Sequence, residues 1–119
     1  MRPVAVLGAT GSIGRQAIEV AAEVGAAVVA LAARRGSDDL MALAVAYPGA
    51  RIAVAAATPS ERDHFSALGA RVAFGAEAVA ALAAQPGVTV VNGIVGSAGL
   101  PASVAALEAG NRLALANKE

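Results

Sequence analysis

Val4-Ala5-Val6-Leu7-Gly8-Ala9-Thr10-Gly11-Ser12-Ile13-Gly14 is the stretch that decides the fold. Four apolar residues without alternation read as a strand buried on both faces, and Gly8 marks its end. Ile13, Ala17, Ile18, Ala21 and Val24 then fall on one helical face, with Gly25 as the stop. A buried strand, a glycine loop and a helix in that order open a βαβ unit. Gly8 suits a tight turn, Gly11 lets backbone approach a pyrophosphate, and Gly14 lets helix and strand pack closely. The N–H groups around Gly11–Ile13 are expected to face the phosphates at the positive end of the helix, with Thr10 and Ser12 adding hydroxyl donors. The spacing is G-x-x-G-x-x-G rather than the commoner G-x-G-x-x-G, so the loop draws its weight from its place between strand and helix.

Outward from this unit the alternation continues. Strands are expected at Ala27–Ala33, Ile52–Ala56, Val72–Phe74, Val88–Val91 and Leu113–Ala116. Leu40, Leu43, Ala44 and Tyr47 mark a second helix, ended by Pro48-Gly49. Thr58-Pro59-Ser60-Glu61 reads as a capping box that starts a third, ended at Gly69. Further helices are expected at Glu77–Ala84 and about Pro101–Ala109. The class is therefore α/β, a doubly wound, mostly parallel sheet with helices on both faces, Rossmann-like in three αβα layers. Val72–Phe74 is short enough for an edge strand outside the third, and the apolar Val88–Val91 belongs beside the first.

Ligands of such sheets bind at the carboxyl ends of the strands. Four segments meet there: Gly8–Gly14, Arg34–Ser37, Asn92–Gly96 and Asn117–Glu119. The second strand is followed by Arg34-Arg35-Gly36, where a site for NAD usually carries Asp or Glu. Two guanidiniums and no carboxylate favour a 2′-phosphate, hence NADP. A solvated arginine pair is the plainer alternative. Asp38 and Asp39 suit the start of the second helix.

The glycines of Asn92–Gly99 let backbone pass beneath a dinucleotide, or serve only tight packing. Asn117, Lys118 and Glu119 bring an amide, an ammonium and a carboxylate to the reactive end; simple solvation is the alternative. His64, the sole histidine, lies on the third helix away from this edge, and Glu19, Glu23, Glu61, Asp63 and Glu77 read as solvated helix residues.

Composition narrows the rest. The chain has 119 residues, the size of one domain, with no net charge and 57% apolar residues. Alanine accounts for 34 of them, so the core rests on Val, Leu and Ile with Ala-rich helices against it. No apolar stretch approaches a bilayer span. The absence of cysteine excludes disulfides and thiolate chemistry and fits a cytoplasmic setting. Balanced charge and three aromatics argue against a nucleic-acid groove. No His, Asp and Glu cluster has metal-ligand spacing.

Three segments together carry a family resemblance: Gly8–Gly14, Val91-Asn92-Gly93-Ile94-Val95-Gly96-Ser97-Ala98-Gly99-Leu100, and Ala114-Leu115-Ala116-Asn117-Lys118-Glu119. In order and spacing they resemble the 1-deoxy-D-xylulose 5-phosphate reductoisomerase family. The first segment is shared with other dehydrogenases, and the Ala-Asn-Lys ending is similar to that of homoserine dehydrogenase. The middle segment with Glu119 discriminates.

The resemblance implies an enzyme that rearranges 1-deoxy-D-xylulose 5-phosphate at a divalent metal (Mg or Mn). It then reduces the resulting aldehyde with NADPH to 2-C-methyl-D-erythritol 4-phosphate, in the non-mevalonate isoprenoid pathway. Carried over by motif, Thr10, Gly11, Ser12 and Ile13 hold the pyrophosphate, Asn117 and Glu119 contact NADPH, and Lys118 contacts the substrate. The family's loop after the second strand commonly reads Gly, a basic residue, then Asn. Here Arg35 takes the basic place, flanked by Arg34 and Gly36.

The family's enzyme is several times longer. Residues 1–119 are thus expected to be its NADPH-binding domain, without catalytic residues or metal ligands and inactive alone. The whole enzyme is expected to be a cytoplasmic homodimer, with no nucleic-acid or membrane partner. Two other readings are a stand-alone NADPH sensor and the cofactor domain of another NADP dehydrogenase.

Overall fold

Between each apolar run and the next a helix carries the chain back to the same edge, and this forces parallel pairing. The computed structural model describes residues 1–115. Its strands are β1 (Val4–Leu7), β2 (Val28–Ala33), β3 (Arg51–Val54), β4 (Val72–Phe74), β5 (Thr89–Asn92) and β6 (Arg112–Leu115). The helices are α1 (Ser12–Val24), α2 (Asp38–Ala46), α3 (Pro59–Phe65), α4 (Ala76–Ala83) and α5 (Leu100–Glu108). The sheet order is β4-β3-β2-β1-β5-β6, with every neighbouring pair parallel. The expected doubly wound sheet is therefore present, with β4 at the edge and β5 beside β1.

Boundaries shift where hydrogen bonding, rather than hydrophobicity, defines the strand. β5 runs one residue later than expected, because Asn92 stays in the ladder opposite Leu7. β3 ends at Val54, yet the N–H groups of Ala55 and Ala56 still donate to Ala33 and Arg34. The third helix is shorter than its pattern suggests. It gives way after Phe65 to a 3-10 turn, Ser66–Arg71.

The pleat sorts side chains into two cores. Val6, Leu31, Ile52 and Val54 face α1, α2 and α3, where Ile18, Leu40 and Phe65 close the layer. On the other face Ala5, Leu7, Ala30, Ala32 and Ala53 meet Val79, Leu82 and Ala83 of α4 and Ala102 and Ala106 of α5. Small residues dominate this second layer, and α4 packs directly on α5. Arg71 fixes the far end of α2. Its guanidinium donates to the carbonyls of Ala44, Tyr47 and Ala50, each at 3.0 Å, supplying partners that helix geometry leaves unmet.

Candidate functional site

The carboxyl ends of β1, β2, β3 and β5 converge on one cleft of about 360 Å³. Gly8, Thr10, Gly11, Arg34, Gly93 and Ile94 are among the residues that line it.

At one end, backbone does the work. Gly8 has φ +74°, a left-handed conformation suited to glycine, and its N–H and that of Ala9 both donate to Ala32 at 2.9 Å. A Cβ on Gly8 would lie 2.9 Å from the carbonyl carbon of Gly93, and one on Gly14 only 2.2 Å from the Gly8 oxygen. Gly14 therefore serves the close packing expected of it, though the nearest obstacle is the loop itself. Gly11 differs: a Cβ there would meet only the Gly8 oxygen at an ordinary 3.5 Å, leaving its open side to the cleft.

The first backbone bonds of α1 show which donors remain open. Gly11 N–H is already given to Gly8 (3.1 Å), and Arg15 N–H makes the first helical bond, to Gly11 (3.0 Å). Ser12, Ile13 and Gly14 precede that bond and have no intrahelical acceptor. The donors left without an intrahelical acceptor are thus Ser12–Gly14, of which Ser12 and Ile13 are exposed and Gly14 is buried. The helix has no side-chain cap and no acidic residue in its first turn, so nothing there competes with an anion. Arg15 supports the loop from outside, donating to the Thr10 carbonyl at 3.0 Å and to Asp39 at 2.7 Å. That exposed pair contributes little stability but ties the starts of α1 and α2 together.

At the other end, side chains do the work. Arg34 follows β2 directly and lines the cleft. Arg35 turns to Glu61 instead, its Nε donating to both carboxylate oxygens at 3.1 Å and its Nη2 to Oε2 at 2.7 Å. Gly36 N–H also donates to Glu61, at 3.1 Å. A Cβ on Gly36 would lie 3.0 Å from the Phe65 ring, so this loop sits hard against α3. Ser37 caps α2 by accepting from Leu40 N–H, while Asp38 and Asp39 charge its first turn.

Glu61 corrects the expectation of a solvated helix carboxylate. The capping box is present: Thr58 Oγ1 accepts from Glu61 N–H, and Glu61 Oε1 accepts from Thr58 N–H. The same carboxylate also holds Arg35 and Gly36. Hydrogen bonds from Arg35 first, then from Gly36 N–H, lower its pKa from the ordinary 4.5 to about 2. The Arg35 guanidinium is raised in turn, by the hydrogen bond and charge of Glu61. Glu19, Glu23, Asp63 and Glu77 are exposed as expected, and so is His64, which only meets Phe65 edge-on.

Asn92 organises the second glycine loop, a role that its sequence context did not announce. Fully buried, it donates to the Gly99 carbonyl (2.8 Å) and Ser103 Oγ (2.9 Å) and accepts from Ile94 N–H (3.0 Å). Gly93 N–H donates to Leu7 at 2.8 Å, which seats this loop against Gly8. Asn117, Lys118 and Glu119 lie outside the described residues.

A family model described as 1-deoxy-D-xylulose 5-phosphate reductoisomerase matches residues 4–119. The chain belongs to that family. Reductoisomerases from Xanthomonas oryzae pv. oryzae and Beutenbergia cavernae are 48% and 42% identical to it, over 100% and 99% of its length. The chain spans only 32% of each of those relatives. Among solved structures, the Zymomonas mobilis reductoisomerase in complex with NADPH superposes with a TM-score of 0.83 at 34% identity. It covers 98% of this chain, which spans 32% of that one. A second reductoisomerase, in complex with NADPH, fosmidomycin and magnesium, gives a TM-score of 0.80 at 32% identity, with 98% and 30% coverage.

Among the described residues no group of three or more His, Cys, Asp or Glu could hold a metal ion. These residues do not fit the magnesium seen in the relative. Their arrangement is compatible with a dinucleotide: Gly8, Thr10, Gly11 at the uncapped start of α1, and Arg34 line one cleft.

Proposed function

We propose that this chain is the NADPH-binding domain of a metal-dependent reductoisomerase. The reading rests on one observation above all. A single cleft runs from the uncapped start of α1 to Arg34, the position where an NAD site carries a carboxylate. NADPH bound there supplies the hydride that reduces an aldehyde.

Ser12, Ile13 and Gly14 would offer backbone N–H groups to the pyrophosphate, with Thr10 and Gly11 forming the wall beside them. Arg34 and Arg35 would receive the 2′-phosphate, which a guanidinium binds in bidentate fashion. Gly36 would shape the loop and not donate, since its N–H is already committed to Glu61. The Asn92 network would hold the second loop rigid beneath the dinucleotide. Asn117 and Glu119 would contact NADPH, and Lys118 the substrate, on the family's motif.

The whole enzyme's activity belongs to the same proposal: 1-deoxy-D-xylulose 5-phosphate as substrate, 2-C-methyl-D-erythritol 4-phosphate as product. Residues of the longer protein would hold the divalent ion, so these 119 residues alone do not turn over. A cysteine-free chain with no helix long and apolar enough to cross a membrane among its described residues supports a cytoplasmic enzyme. We assign it as a homodimer on family grounds.

Calorimetric titration with NADPH and with NADH tests the domain reading. NADPH should bind more tightly, and Arg34→Ala should remove roughly tenfold or more of that preference, the scale of a charge-assisted hydrogen bond. Equal binding of the two, or a preference unmoved by Arg34→Ala, contradicts it.

A further inference from the structure

Glu61 enters the site from a strand away. Its carboxylate is only 18% exposed and carries donors from three sources: Thr58 N–H, Gly36 N–H and the Arg35 guanidinium. A carboxylate so occupied has little capacity left for a ribose hydroxyl, so it does not replace the missing acid after β2. What it does is grip Arg35 by one edge, through Nε and Nη2. A guanidinium has a second edge, formed by Nη1 and the other Nη2 proton, and five donors in all. Among the described residues that second edge has no hydrogen-bond partner.

We infer that Glu61 is a positioning residue for recognition of the cofactor's 2′-phosphate: it fixes Arg35 by one guanidinium edge and leaves the other to the phosphate. The inference rests on the NADPH reading above. Arg35 is otherwise a long side chain, 55% exposed, and it would lose rotamer freedom on gripping a ligand. Holding it beforehand removes part of that cost. Glu61 is well placed to hold it, because the capping box and Gly36 lock the carboxylate independently of Arg35. Charge does not oppose the arrangement. Glu61 balances Arg35, and Arg34 remains as a net positive charge in the cleft.

Glu61→Gln is the discriminating change. Glutamine keeps the size and a carbonyl acceptor for Thr58 and Gly36, so α3 stays capped, but the charge that holds Arg35 is gone. NADPH and NADH would be titrated into the unsubstituted chain, E61Q, R35A and the double variant. E61Q should weaken NADPH by roughly tenfold, the scale of a charge-assisted bond, and leave NADH unchanged. Adding R35A to E61Q should then cost little more, because the two act as one unit.

An equal loss of both dinucleotides would make Glu61 merely structural, and tighter NADPH binding by E61Q would make it a competitor of the phosphate. Either overturns the inference, as does NADPH binding that E61Q leaves untouched. If E61Q does not fold, R35A must show the selective NADPH loss alone, since it leaves the capping box intact; without that loss the inference also fails. Binding of neither dinucleotide by the unsubstituted chain overturns the domain reading and this inference together. Selective NADPH binding insensitive to E61Q overturns the inference alone.

Discussion

The two ends of the cleft are built from different materials. At the start of α1 the proposed recognition elements are backbone N–H groups, beside Gly8 and Gly14, which have no room for a side chain. Beyond β2 they would be the guanidiniums of Arg34 and Arg35, of which Arg35 is held by Glu61 from the start of α3. The first end suits what every dinucleotide shares, the pyrophosphate. The second suits what separates one dinucleotide from another. Backbone geometry is hard to retune by substitution, whereas a side-chain clasp changes one residue at a time. On the proposed reading, the invariant part of the ligand would meet the rigid part of the protein.

That contrast can be broken most severely at Gly14. A methyl group there would collide with the Gly8 oxygen and the Ala9 Cα, which are backbone and cannot rotate away. Gly14→Ala should cost about 3 kcal/mol, the upper end for overpacking, with loss of affinity for NADPH and NADH alike. Urea unfolding with parallel titrations measures both. Near-normal stability would show that the loop shifts freely.

Asn92 is the next lever. Asn92→Ala removes two buried hydrogen bonds and a part-buried one and strands Ile94 N–H and Ser103 Oγ, for about 2 kcal/mol of stability. It acts on the second loop, so its effect should again fall on both dinucleotides. Thr58→Ala is milder, about 1 kcal/mol as for other helix caps, but it loosens Glu61. Its loss should therefore be larger for NADPH than for NADH.

Acid pH sharpens the contrast with the smallest effect. Glu61 is held at about 2, against 4.5 ordinarily, so the folded state favours its ionised form. Its contribution is complete above the ordinary value and drains away as pH falls toward about 2. In thermal melts, E61Q should be less stable than the unsubstituted chain near neutrality, and the gap should narrow through that window. A gap independent of pH would deny the clasp.

How far each end could be read from the sequence follows from the same difference. The glycine loop is contiguous and lies between a strand and a helix, so local pattern sufficed for its turn and its packing. Arg34 was legible because it directly follows a strand. Glu61 was read correctly as half of a capping box, a relation between residues three apart. Its second role joins residues 26 apart, and only the pairing of β2 with β3 brings them together. Arg71 and Asn92 escaped for a related reason. Their partners are carbonyls and a hydroxyl at a distance set by tertiary packing, and neither residue stands out by type. Strand ends moved by one or two residues because ladders follow hydrogen bonds, which a polar Asn92 can continue as well as a valine.

The central claim is that one cleft binds one dinucleotide along its whole length. Two-dimensional amide spectra recorded during an NADPH titration test it most directly. The account predicts that Ser12, Ile13 and Gly14 shift together with Arg34 and Arg35, at one common affinity, and that NADH moves the first group while leaving the arginines nearly still. Shifts confined to other surfaces, or the same response at the arginines to both dinucleotides, would contradict it.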